Sequence, residues 1–193
     1  MKIVSKQSPN FSAKTRNLKD IKFIILHYTG MQSTRESLKR LSNKRSKVSC
    51  HYLISRKGVI YKLVDAKKIA WHAGKSKWKN FKNLNNKSIG IELQNKGHNI
   101  NYERFTKIQL ISLLKLLKKL IKKYKIKKNY VLGHSDIAPL RKTDPGEKFP
   151  WELLSKKGAS IWYVKSNLKI KSMSQDKRRK YFFKNLFKIG CRY

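Results

Sequence analysis

Two histidines and an aspartate, with the short runs that carry them, are the residues here best suited to chemistry. His27 closes the apolar run IKFIILH (21–27), while His134 and Asp144 share one segment, GHSDIAPLRKTDPG (133–146). A catalytic zinc takes about three protein ligands and leaves a position open for water, and imidazole nitrogens with a carboxylate oxygen are donors of suitable hardness. Two neutral imidazoles and one carboxylate would leave a formal charge of about +1, so a bound metal would stay a competent Lewis acid. A histidine taken singly is more often hydrogen-bonded in place than a ligand. Residue type alone therefore leaves a metal site and a plain structural role both open.

Chemistry of this kind needs rigid elements to carry it. The run 21–27 is short, apolar and rich in isoleucine, which suits a buried central strand. Thr34 to Leu41 reads as a short amphipathic helix with Thr34 as its N-cap. The β-rich runs 51–55 and 59–63 flank Arg56-Lys57-Gly58 and predict a hairpin. SIGIEL (88–93) is a further short strand, and Tyr130 to Gly133 is another, running straight into His134. The longest helix is expected to start at Thr106, with Gln109 completing a capping box and Phe105 stapled onto Leu110. Its apolar stripe is read as Ile111, Leu114, Leu117, Ile121 and Tyr124.

Strands and helices alternating in this way predict an α/β fold, a mixed central β-sheet flanked by helices, in a single catalytic domain. The boundaries expected are an extended leader over 1–20 lying against the domain, the domain itself over 21–160, and a basic C-terminal extension over 161–193. Within that extension 165–176 is linker-like. Lys177 to Tyr193 has apolar residues at helical spacing, read as a helix docked on its own domain in preference to a membrane-surface helix or the opening of a truncated wall-binding module.

Composition narrows the partners. The 193 residues hold 48 Lys+Arg against 10 Asp+Glu, a formal net charge of +38. Such a field attracts nucleic acid, anionic lipid or an acidic polymer. The lysines run through almost every segment instead of forming a stripe, so no specific nucleic-acid partner is expected. Cys50 and Cys191 lie far apart with no CxxC spacing and read as reduced thiols. Met1 to Asn10 lacks an apolar h-region and no run of about 18 apolar residues occurs, so neither a transmembrane segment nor a cleaved signal is expected. The expectation is a cytoplasmic monomer, with the cell envelope as the alternative location.

Five segments, ILHYTG (25–30), SCHYLISRKGVIYKLV (49–64), AWHAG (70–74), NNKSIGIEL (85–93) and GHSDIAPLRKTDPG (133–146), closed by FPW (149–151), together resemble the amidase_2 family of N-acetylmuramoyl-L-alanine amidases. That family includes AmpD-like and AmiD-like enzymes, phage lysozyme-amidases and peptidoglycan recognition proteins. The segments come in the family's order over roughly residues 18–155.

The resemblance implies that His27, His134 and Asp144 bind one catalytic zinc; an aspartate at the third position is the habit of the AmpD-like and AmiD-like branch. It implies Glu92 as the carboxylate that takes a proton from water, and Lys142 as the ammonium that stabilises the oxyanion. His72, Asn85, Trp71 and His51 become candidates for substrate contact, with His51 also a candidate to orient groups around the metal. His98 is expected to be exposed and inert. Cys50 stands where phage amidases and catalytic recognition proteins carry a catalytic tyrosine, which speaks against a tyrosine mechanism; Tyr28 and Tyr52 are read as packing or rim residues. The implied substrate is peptidoglycan or its soluble muropeptide fragments, cut between N-acetylmuramic acid and L-alanine.

Overall fold

A computed structural model describes residues 3–162 and 173–189. The apolar run read as a central strand is β3 (Phe23–Tyr28), which follows β1 (Ile3–Ser5) and β2 (Phe11–Thr15). It is paired in parallel with β9 (Ser88–Leu93) on one side and β10 (Val131–Gly133) on the other. The predicted hairpin is β4 (Tyr52–Ile54) and β5 (Ile60–Lys62), antiparallel, with β4 lying parallel to β9. The sheet is therefore mixed, in the order β1-β5-β4-β9-β3-β10.

Both faces of β3 are covered, as a run without polar alternation requires. Ile24 and Leu26 pack into the cluster beneath the long helix α2 (Lys107–Tyr124), while Phe23 and Ile25 join Trp78 and Leu84 on the opposite face. That opposite face is built by small pieces: β6 (Lys68–Ala70), paired with β2, and the hairpin β7 (Lys77–Trp78) with β8 (Phe81–Lys82). The short helix α1 (Thr34–Ser42) precedes β4, and α3 (His134–Ile137) follows β10 directly.

Several expectations change in detail. The leader does more than lie against the domain: β1 extends the main sheet at its edge and β2 pairs with β6. The cap of α1 is Ser33, whose hydroxyl accepts from the Glu36 N–H, so Thr34 is already helical. Thr106 does cap α2, accepting from the Gln109 N–H, but the box is not reciprocal. The Gln109 carboxamide instead donates to the Ile54 and Gln94 carbonyls, at the ends of β4 and β9.

That anchor helps fix the rotation of α2. The buried stripe is Leu110, Leu113, Leu116, Leu117 and Leu120; of the stripe expected from spacing, Leu117 is in it, Leu114, Ile121 and Tyr124 pack partly buried beside it, and Ile111 is exposed at 51%. Leucine and isoleucine cover more than half the circumference of this helix, so periodicity admits overlapping stripes and the sheet decides between them.

Beyond Trp151, where the pattern loosened, a further helix α4 (Trp151–Lys156) closes the domain. The C-terminal stretch holds a helix, α5 (Gln175–Ile189), and residues 174–184 are exposed. Residues 163–172 and 190–193, which hold part of the linker and the end of the tail, lie outside the described residues.

Candidate active site

Parallel pairing sets the first layer of the site. In the register of β3 and β9, His27 stands opposite Glu92. In that of β10 and β3, Gly133 stands opposite Leu26, so the next residue, His134, arrives beside His27. Three neighbouring strands thus deliver His134, His27 and Glu92 in a row at their C-terminal ends, the place where open α/β sheets hold ligands. Asp144 reaches the same point on the loop after α3, whose start is tied back by the Ser135 N–H donating to the Asp144 carbonyl (2.9 Å). Gly133 permits this closeness: a Cβ there would come within 2.7 Å of the Pro145 ring.

The three expected ligands converge. His27 Nδ1 lies 3.0 Å from His134 Nδ1 and 3.0 Å from Asp144 Oδ2, and His134 Nδ1 lies 3.1 Å from that same oxygen. Zinc bonds of about 2.0–2.2 Å at tetrahedral angles separate donor atoms by roughly 3.3–3.5 Å. The trio is within a few tenths of an ångström of that spacing, and it is the one such group of His, Cys, Asp or Glu among the described residues. Its donor set, two nitrogens and one carboxylate oxygen, fits zinc.

The electrostatics agree. Burial, with His134 beside it, lowers His27 to about 4 against the pull of Asp144, so its imidazole is neutral at pH 7. Burial alone would raise the Asp144 carboxyl, but the two imidazoles set against it, His134 and His27, outweigh burial and hold the group below its usual range. Glu92 differs. Burial pushes it well above the carboxylate range, Asp144 pushes the same way, and Lys142 opposes. Its Oε2 is buried with no hydrogen-bond partner among the described residues.

The trio and Glu92 open into a cleft of about 470 Å³ that is also lined by Lys142, Trp71 and His72. Lys142 and Trp71 are therefore placed to meet a ligand. The other candidates for substrate contact sit differently. His72 is nine-tenths buried and touches the cleft mainly by backing His27: its Nδ1 lies 3.0 Å from His27 Nε2. Asn85 is not among the residues lining the cleft; its Oδ1 accepts from the backbone N–H groups of His72 (3.1 Å) and Ala73 (2.7 Å). His51 is fully buried behind the cleft, where its Nδ1 accepts from the Gly90 N–H. His51 and His72 meet ring edge to face, 5.7 Å apart, so one residue, His72, separates His51 from the metal trio.

Some participants carried no signal in the sequence. Arg16, from the leader, donates to the Ala66, Asn85 and Ser88 carbonyls and lies 2.8 Å from His51 Nε2. Nothing near Arg16 announces contacts so far along the chain. Arg141, adjacent to Lys142, donates to the Ala73 and Lys75 carbonyls. His98 is exposed as expected but engaged: it is 2.8 Å from the Tyr28 hydroxyl and 2.9 Å from Glu147, and it stacks on Tyr102.

Three donors converging at the open ends of parallel strands, with a buried carboxylate in the same cleft, form the arrangement that metal-dependent hydrolases use. The chain belongs to the Amidase_2 family, N-acetylmuramoyl-L-alanine amidase, whose match spans residues 17–147. It is 40% identical over 154 residues to N-acetylmuramoyl-L-alanine amidase AmiD of Escherichia coli K12, covering 74% of this chain and 55% of AmiD. This chain thus spans about half the length of that relative. It is 35% identical over 164 residues to 1,6-anhydro-N-acetylmuramyl-L-alanine amidase AmpD of Haemophilus influenzae, covering 76% of this chain and 86% of AmpD. A solved structure of E. coli AmiD in complex with the substrate anhydro-N-acetylmuramic acid-L-Ala-D-gamma-Glu-L-Lys matches with a TM-score of 0.80 at 32% identity, covering 94% of this chain and 75% of that one.

Proposed function

We propose that this chain is a zinc-dependent N-acetylmuramoyl-L-alanine amidase that hydrolyses the amide between the lactyl group of N-acetylmuramic acid and L-alanine. The observation that carries the reading is the convergence of His27 Nδ1, His134 Nδ1 and Asp144 Oδ2 at 3.0–3.1 Å, inside a cleft that holds a carboxylate and an ammonium. Family membership and the relatives' names supply the substrate class.

His27, His134 and Asp144 would hold the ion, which would supply Lewis acidity to the scissile carbonyl and to water. Glu92 then removes a proton from the attacking water and delivers it to the departing nitrogen of L-alanine. A carboxyl raised by burial is the stronger base for that transfer. The Lys142 ammonium, in the same cleft, opposes the negative charge that develops on the carbonyl oxygen. Trp71 offers the sugar or the peptide an apolar wall. As the C–N bond breaks, the lactyl carboxylate and the free amine of the stem peptide leave as the two products.

The test is mass spectrometry of soluble anhydro-muropeptides and of intact sacculi incubated with the pure, zinc-loaded chain. Release of the stem peptide with a free L-alanine amine is expected. Lactyl-peptide bonds that stay intact at every protein concentration would leave a peptidoglycan-binding protein without the amidase. Comparing the two substrates assigns the chain to fragment recycling or to turnover of the polymeric wall. Among the described residues no helix is long and apolar enough to cross a membrane.

A further inference from the structure

Both imidazoles of the trio lean on one short turn, residues 71–74, and the hydrogen bonds decide where their protons sit. The hydroxyl of Ser88 has a single proton and gives it to the Leu84 carbonyl (2.6 Å). Ser88 Oγ can therefore only accept from His72 Nε2, 3.2 Å away, so that nitrogen carries the proton. In a neutral imidazole the other nitrogen then has a lone pair. His72 Nδ1 thus accepts from His27 Nε2 at 3.0 Å, and His27 is left with its lone pair on Nδ1.

His134 is settled one residue further along the same turn. Its Nε2 faces the Ala73 carbonyl at 3.1 Å, and a carbonyl accepts only, so Nε2 carries the proton and Nδ1 the lone pair. The second lone pair of that carbonyl is taken by Arg141 Nη2 at 2.9 Å. The two freed lone pairs are those that meet Asp144 Oδ2.

What holds the turn is Asn85. Its carboxamide oxygen accepts from the N–H groups of both His72 and Ala73, the two residues that support the two imidazoles. Beneath the His72 ring lies Gly90 of β9, where an added Cβ would come within 2.4 Å of the ring. The ring is seated directly on the bare backbone of Gly90.

We propose that the 71–74 turn, pinned by Asn85, is a tautomer clamp: through His72 and the Ala73 carbonyl it sets both imidazoles to present Nδ1 to the ion. His72 and Asn85 are then positioning residues, not substrate contacts. The inference rests on the metal reading of the trio but makes a claim that can be read without the metal. Partners of this kind, lying behind the ligands, typically change metal affinity by about 10–100-fold when removed.

The experiment uses the full chain with four substitutions, His72→Leu, His72→Asn, Asn85→Leu and Asn85→Asp, and two readouts. Long-range 1H–15N correlation spectra of the metal-free protein report the imidazole tautomers, and Zn2+ titration against a competing chelator gives the affinity. In the wild type, His27 and His134 are expected as Nε2–H tautomers. His72→Leu and Asn85→Leu are expected to bind Zn2+ about 10–100-fold more weakly. His72→Asn keeps an acceptor at the δ1 position and Asn85→Asp keeps one facing the two N–H groups, so both should stay within about 3-fold of wild type, well inside the 10–100-fold loss of the leucine variants. Backbone amide spectra confirm folding in each case. An Nδ1–H tautomer at either histidine, or leucine variants that bind Zn2+ as tightly as wild type, would overturn the clamp. A wild type with the expected tautomers but no affinity for Zn2+ would overturn the metal reading and leave the clamp standing.

Discussion

Glu92 sits opposite His27 in the strand register, and its Oε2 is buried and unpartnered, an arrangement that costs stability and, on the proposed function, readies the carboxyl to act as the base. A carboxyl whose folded pKa is raised binds its proton more tightly in the native state than in the unfolded chain. Its contribution to stability is therefore present at low pH and is lost as pH rises through the raised value. Glu92→Gln is neutral at all pH values, so in the metal-free form it should melt a few degrees above wild type at pH 8, the gap closing toward pH 5. The same substitution should abolish muropeptide hydrolysis while leaving Zn2+ affinity intact, since Glu92 is not one of the converging donors. A variant that loses zinc as well would make Glu92 a ligand instead of the base. Lys142→Ala should lower kcat by about 10²–10³, the usual loss for one oxyanion donor, with a smaller change in KM; an effect confined to KM would restrict Lys142 to binding.

The elements earn their positions through close contacts that a single methyl would spoil. Gly90→Ala would thrust a Cβ into the His72 ring at 2.4 Å, in the middle of a buried parallel strand. The expected result is a folded but less stable chain with weakened Zn2+ binding, measured by melting and by chelator competition; unchanged affinity would show that the ring can move aside at no cost to the site. On the other face of the sheet, the rotation of α2 is checked by a pair of truncations. Leu117→Ala removes a fully buried side chain and should cost about 2–5 kcal/mol, while Ile111→Ala, half exposed, should cost no more than about 0.5 kcal/mol. Comparable losses at both positions would favour the stripe first read from periodicity. Spacing places Leu114, Leu117, Ile121 and Tyr124 against the core and misplaces Ile111, because the helix is apolar over too much of its surface for spacing alone to fix its rotation, and Gln109 reveals its role only when the carbonyls of Ile54 and Gln94 are placed beside it.

Over the whole molecule the dominant quantity is the net charge of +38. Stem peptides carry carboxylates, so the field should speed encounter more than it tightens binding, and kcat/KM on an anionic muropeptide should fall as salt rises from about 50 to 500 mM while kcat changes little. A kcat/KM indifferent to salt would reduce the charge to a matter of composition. The sequence by itself determined the strands that end in His27 and His134 and the mixed α/β architecture, because each element lies in a local run whose pattern is complete within a few residues; it pointed to His27, His134, Asp144 and Glu92 as a group only through the resemblance of those runs to the amidase family. Only the tertiary structure decided what surrounds them. It set His72 against His27 at the wall of the cleft, turned Asn85 onto the backbone of His72 and Ala73, took His51 out of the cleft, brought Arg16 from the leader against His51, and engaged His98 with Tyr28 and Glu147. These roles depend on hydrogen bonds between residues far apart in the chain, made where strands and turns happen to abut, and no local pattern of residue types encodes which backbone carbonyl or ring nitrogen will stand opposite which donor.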